Sequence, residues 1–299
     1  MIQAEKVTMK FDKFTALDQL SCTIPDGCIY GLVGSNGAGK STFLRLISGV
    51  YKPYEGSILF DGKPVYENPE VKKDILFIPD ELYFLPQSSM NKMAKFYRAI
   101  YPSFSFERFR HLTELFRLDP NANLNTFSKG MRRQAATILG LSVQPRYLFF
   151  DETFDGLDPV IRNLVKSVIY DDVTERRTTT IITSHSLREL EDTCDQLAML
   201  HKGGIIFESD VQDLKTSLFK VQIVFQDPYD RSKFSEIGVV SYTQKGSVAN
   251  IIIRGDKEAE TEKLRAMDPL LLEVLPLSLE EVFIFEMEAL GYAFHDVLK

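Results

Sequence analysis

The chain has 299 residues, an apolar fraction of 44% and a formal net charge of −7. That length suits one large domain with a small companion, and the acidity excludes a surface built as a whole to neutralise a polyphosphate backbone, so no nucleic-acid partner is expected. Three cysteines (Cys22, Cys28, Cys194) without metal-ligand spacing fit a reducing compartment, the first residues lack a signal-peptide core, and no apolar run approaches bilayer length. A cytoplasmic chain is expected, reaching a membrane only through another subunit.

Residues 2–9 and 20–24 carry the apolar and β-branched residues of strands, and the turn Pro25-Asp26-Gly27 follows. The run 28–33 (CIYGLV) reads as a buried strand. A glycine-rich loop leads into an amphipathic helix from 40 to about 48, with Gly49 as its stop. The stretch 90–118 predicts two helices separated at Tyr101-Pro102-Ser103. Ser103 or Ser105 caps the second, whose apolar residues Phe106, Phe109, Leu112, Leu115 and Phe116 recur at helical spacing. A helix over 131–141, a buried strand over 147–151, a helix over 161–170, a strand over 178–183 and a helix over 187–194 follow. Such alternation predicts a mostly parallel α/β core.

The character changes near Thr216. Segments 219–225, 238–243 and 248–254 alternate like strands, with Gln244-Lys245-Gly246 as a turn, and 256–267 reads as helix, 270–274 as strand and 279–289 as helix. This predicts a small α+β domain over 216–299 behind a large domain over 1–215.

Gly34-Ser35-Asn36-Gly37-Ala38-Gly39-Lys40-Ser41-Thr42 matches G-x-x-x-x-G-K-[ST] between a strand and a helix. Glycines let backbone N–H groups turn inward around phosphate oxygens, and the following helix points its N-terminus at the same anion. Lys40 is placed to bridge β- and γ-phosphates, and Ser41 to ligate Mg²⁺. Downstream, Tyr147-Leu148-Phe149-Phe150-Asp151-Glu152 ends an apolar run in two carboxylates. In a parallel sheet the strand C-termini face the ligand crevice. Asp151 then serves the Mg²⁺ shell, and Glu152 is the candidate general base for an attacking water.

Four further features resemble the ATP-binding-cassette ATPases over roughly residues 1–215. Phe127-Ser128-Lys129-Gly130-Met131 lies where that family has its LSGGQ signature. Asp155-Gly156-Leu157-Asp158-Pro159 follows the acidic strand like the family's D-loop. His185, after a strand, matches the switch histidine, and Phe11, ahead of Ala16-Leu17, matches the aromatic that stacks on adenine. The resemblance implies a P-loop cassette of mixed sheet with a helical subdomain over about 85–141. It also implies ATP and Mg²⁺ as ligands and a head-to-tail dimer with a second nucleotide-binding subunit, the same chain or another. In that dimer Ser128, Lys129 and Gly130 act on the ATP bound by the partner, and Asp158 belongs to the D-loop. The activity implied is ATP hydrolysis that powers a membrane-spanning permease from the cytoplasmic face, in the exporter branch. A soluble regulatory ATPase of the same family is the rival, but such proteins typically carry two cassettes or a long coiled-coil insertion. The chain departs from the pattern in four places: Lys129 replaces a glycine, Met131 a glutamine, Thr153 a proline, and Asp80 stands where glutamine is expected. A charged, shorter side chain facing Mg·ATP either coordinates the ion or turns aside into a salt bridge; Asp80 is expected to act chiefly as a structural link between the core and the helical segment and to reach the metal only in the closed dimer.

Overall fold

The computed structural model describes residues 1–154 and 156–289. The chain divides into two compact units, Met1–Glu208 and a second from Ser209 onward.

The first unit opens with β1 (Ile2–Phe11) and β2 (Phe14–Ile24), then β3 (Ile29–Val33) and α1 (Lys40–Ile47). Next come β4 (Glu55–Phe60), β5 (Lys63–Pro64), α2 (Pro69–Lys72) and β6 (Ile75–Ile78). Three helices, α3 (Met90–Ile100), α4 (Phe106–Leu115) and α5 (Lys129–Val143), precede β7 (Tyr147–Asp151). Then follow α6 (Pro159–Arg176), β8 (Thr179–Ser184), α7 (Leu187–Leu190), β9 (Gln196–His201) and β10 (Gly204–Asp210).

Two sheets carry this unit. β2-β1-β4-β5 is antiparallel, with burial alternating along β2 only from Leu20 to Ile24. The other runs β10-β9-β3-β8-β7-β6, and every pair from β9 across to β6 is parallel. Its central strands β3, β7 and β8 are buried along their whole length, as both faces of a parallel sheet are covered. Their C-terminal residues Val33, Asp151 and Ser184 therefore end side by side, and the crevice beyond them is where an open α/β sheet binds ligands.

Caps set the helix starts. The Ser89, Ser105 and Ser128 side chains accept from Lys92, Arg108 and Met131 N–H, opening α3, α4 and α5. Ser105, not Ser103, is thus the second helix's cap. α5 is longer than the expected 131–141, and its cap is a signature residue. The expected helix over 187–194 is only α7, because Thr193 and Cys194 N–H close back on Leu190 before β9 begins. Strands β4, β6, β9 and β10 were not anticipated, nor was the first half of β2. β2 bulges, with Gln19 at φ 46°, which disturbs the period-2 signal.

The second unit holds α8 (Val211–Ser217), β11 (Leu218–Val224), a 3₁₀ turn at Arg231–Phe234, β12 (Val239–Lys245) and β13 (Val248–Arg254). It continues through α9 (Lys257–Arg265), β14 (Leu271–Leu275) and α10 (Leu279–Ala289). Its antiparallel sheet has the order β12-β13-β11-β14. From β11 to β14 this is the split β-α-β-β-α-β arrangement with a single 3₁₀ turn in place of the first helix. The β12–β13 turn is Gly246-Ser247, one residue later than expected, and Gly246 supplies φ 63°. Phe219, Val221, Ile223, Phe225, Phe234, Ile251, Ile253 and Leu264 form its core. Lys220 and Arg254 pair with Glu281 and Glu286 of α10.

Candidate nucleotide site

The glycine-rich loop joins β3 to α1 in a geometry that only glycine permits at two points. A Cβ on Gly34 would lie 2.4 Å from the Leu200 carbonyl oxygen. Gly39 sits at φ 113°, and a Cβ there would meet Leu17 Cδ2 at 2.7 Å. α1 starts on Gly39 with no capping side chain and no acidic residue in its first turn. Its N-terminal amides and dipole are thereby left for an anion.

Lys40 is 4% exposed and donates to the carbonyl oxygens of Gly34 (2.7 Å) and Ser35 (3.2 Å). Its Nζ also lies 3.2 Å from Glu152 Oε1, while Glu152 Oε2 is 3.1 Å from His185 Nδ1. The loop lysine, the carboxylate and the histidine thus come together from α1, the end of β7 and the end of β8. Beside them Asp151 Oδ1 accepts from Ser41 Oγ at 3.1 Å and Thr183 Oγ1 at 2.9 Å. Burial raises the Asp151 carboxyl above its usual range, the two hydroxyls oppose that rise, and the charges of Glu152 and Asp80 add to it. A hydroxyl and a buried carboxylate are hard oxygen donors, and positive charge placed there would reverse the rise, so the residues fit Mg²⁺.

Glu152 has a left-handed backbone, φ 48°. For a non-glycine residue that costs on the order of 1–3 kcal/mol and needs support from its surroundings. Support comes from both sides. Glu152 N–H donates to Thr183 Oγ1 at 3.1 Å, and its carbonyl accepts from Arg133 Nη1. Arg133, on α5 and 3% exposed, also pairs through Nη2 with Asp80, whose side chain is 49% exposed. Asp80 thus lies in an ion pair between the end of β6 and the helical segment.

The remaining expected residues are spread around this centre. Phe11 ends β1, is 41% exposed, and meets Tyr51 edge-on with ring centroids 5.7 Å apart. Ser128 caps α5, whose first turn holds Lys129 and Gly130 and no acidic residue. Asp158 caps α6, accepting from Val160 and Ile161 N–H. Asp155 lies outside the described residues. Gln87, the glutamine that follows the departure at Asp80, accepts at its carbonyl from Lys92 Nζ. Two participants were missed, Thr183 and Arg133. Thr183 sits two residues before the histidine on a strand that ends at the site, which is a readable signal. Arg133 had none, because a basic pair in sequence is usually a solvated helix end.

The ABC transporter family model matches residues 17–155. The chain is 31% identical to the ABC transporter ATP-binding protein YtrB of Bacillus subtilis, over 95% of this chain and 97% of the relative. It is 30% identical to the linearmycin resistance ATP-binding protein LnrL of the same species, over 73% of this chain and 72% of that one. Among solved structures, an ATP-binding subunit of an ABC transporter superposes with a TM-score of 0.66 at 22% identity, over 72% of this chain and 92% of that chain.

Proposed function

The chain belongs to the ATP-binding-cassette transporter family as an ATP-binding subunit, and from that premise we propose that it hydrolyses Mg·ATP to power a separate membrane permease. The observation that carries the reading is the meeting of Lys40, Glu152 and His185 beside the Ser41–Asp151–Thr183 group. That meeting supports reading Lys40 as the phosphate cation, Glu152 as the base and His185 as its neighbour.

Lys40 lies on Glu152 and on the loop carbonyls of Gly34 and Ser35. A triphosphate on the loop competes for Lys40 with far more negative charge. Lys40 turns to the phosphates, and Glu152, still held by His185, accepts the proton of an attacking water. Ser41 and Asp151 would hold Mg²⁺, which would neutralise charge developing on the phosphates. Phe11 offers its exposed ring to adenine.

Proteins of this kind dimerise and work with a permease. Ser128, Lys129 and Gly130 stand at a helix N-terminus free of acidic residues, which suits contact with the γ-phosphate held by a partner cassette. The permease docks on the helical segment over 85–141, where Leu85, Phe96, Ile100 and Phe106 expose apolar surface. No helix among the described residues is long and apolar enough to cross a membrane, which suits a subunit held at the cytoplasmic face by its permease. The signature variant and the similarity to a resistance protein favour outward transport. The second unit is a separate accessory domain.

Co-expression with a multi-span partner, purification of the complex and reconstitution in vesicles test this. The expected result is Mg·ATP hydrolysis stimulated by the partner and substrate movement away from the ATP-binding side. A chain that hydrolyses ATP but binds no membrane protein would overturn the transport role and favour the regulatory one.

A further inference from the structure

Glu152 carries its carboxylate on a left-handed backbone, so the direction of the base depends on what holds the peptide units on either side. On the N–H side the holder is Thr183, fixed on a central strand. On the carbonyl side it is the Arg133 guanidinium, which belongs to a different layer, the helix α5 that Ser128 caps. A planar guanidinium offers parallel N–H groups in a rigid fork. One arm takes the Glu152 carbonyl and the other takes Asp80 at the end of β6. The two acceptors are therefore linked through one rigid group, and its outer acceptor is half exposed while the group itself is buried.

We propose that Arg133 is a positioning residue for hydrolysis, holding the Glu152 backbone so that its carboxylate faces the loop lysine and His185, and that Asp80 makes this hold depend on the loop after β6. The inference rests on the reading of Glu152 as the base. Its assigned role runs through the Glu152 backbone, which Arg133 holds at the carbonyl. Movement of the loop after β6 shifts Asp80, the fork rotates with it, and the Glu152 carbonyl follows. The charged pair Asp80–Arg133 thus takes the place of the glutamine that the family carries at the loop, and α5 brings the same signal to its signature end.

The test uses the full chain with Mg·ATP. Arg133→Lys keeps the charge and removes the fork. A small misplacement of a reacting group can cost up to about 100-fold in rate. The expected result is a kcat lower by about 10-fold or more, a KM for ATP within about threefold of wild type, and a preserved cooperative melt. Asp80→Asn should lower kcat by about two- to fivefold at unchanged KM. The double variant should be no slower than Arg133→Lys alone, since both act through one fork. Three results would overturn the proposal: kcat of Arg133→Lys within about twofold of wild type, kcat and ATP affinity falling together with the melting temperature, or additive effects in the double variant. If Arg133→Lys does not fold, Asp80→Asn decides, at the exposed end of the pair: a lower kcat at constant KM supports the proposal, and an unchanged kcat refutes it. A wild-type chain that does not hydrolyse Mg·ATP would instead refute the underlying reading of the site.

Discussion

At the scale of single residues the site is a set of competing partners around Glu152. One carboxylate oxygen lies on Lys40 and the other on His185, both near 3 Å. Glu152→Gln keeps the shape and loses both the charge and the basicity. Turnover should fall by about 10²–10⁴-fold while ATP still binds. The variant should also accumulate an ATP-bound dimer, seen by size exclusion in the presence of Mg·ATP. Near-wild-type turnover in this variant would remove Glu152 from the role of base. Neither Glu152 contact could be assigned from the sequence, because Lys40 and His185 are 112 and 33 positions away along the chain. The motif named the residues, and only the sheet brought their side chains into range.

At the scale of elements the phosphate loop works because its backbone is bent where no side chain fits. Gly37 and Gly39 both have positive φ, but they differ in surroundings. A Cβ on Gly37 meets nothing within 4 Å, whereas one on Gly39 meets Leu17 at 2.7 Å and the Ala16 carbonyl at 2.8 Å. Gly37→Ala should therefore carry only the conformational penalty, about 1 kcal/mol. Gly39→Ala adds a clash with β2 and should weaken ATP binding and stability far more. Calorimetric titration with ATP and a thermal melt of each variant check the order, and equal losses would refute it. A second element-level link ties the helical segment to the core. Asp172 on α6 is 2% exposed and pairs with Arg108 of α4, and Arg176 lies 3.5 Å away. Burial raises the Asp172 carboxyl and the two guanidiniums oppose that rise. No spacing rule pairs positions 108 and 172, so the link was invisible before the helices were packed.

At the scale of the molecule each of the two units has its own core, one around β3 and α1 and one around β11 and β13. Units that fold on their own cores should melt as separate transitions. Scanning calorimetry of the full chain should show two, and Mg·ATP should raise only the one that belongs to the cassette. Binding at 100 times Kd stabilises by about 2.7 kcal/mol. Lys40→Ala should abolish the shift without abolishing the transition, since the lysine nitrogen faces Glu152 and loop carbonyls and not the apolar core. A single transition moved as a whole by Mg·ATP would show that the units do not unfold independently.

The sequence by itself determined the phosphate loop, the acidic strand end, the family and the α/β character of the first unit. Each rests on local spacing: a turn needing glycine, a buried strand ending in carboxylates, a helix cap. It did not reveal β4, β6, β9 and β10 or the true start of β2, where short strands and bulges blur the alternation of apolar residues. Nor did it reveal which partners those residues take. Asp80 was legible as a departure from a pattern, and its salt bridge as an expectation. That the partner is Arg133, and that the same guanidinium holds the Glu152 carbonyl, was decided when α5 packed beside β6. Hydrogen-bond reach is about 3 Å, and the tertiary fold alone sets which distant positions of the chain come that close.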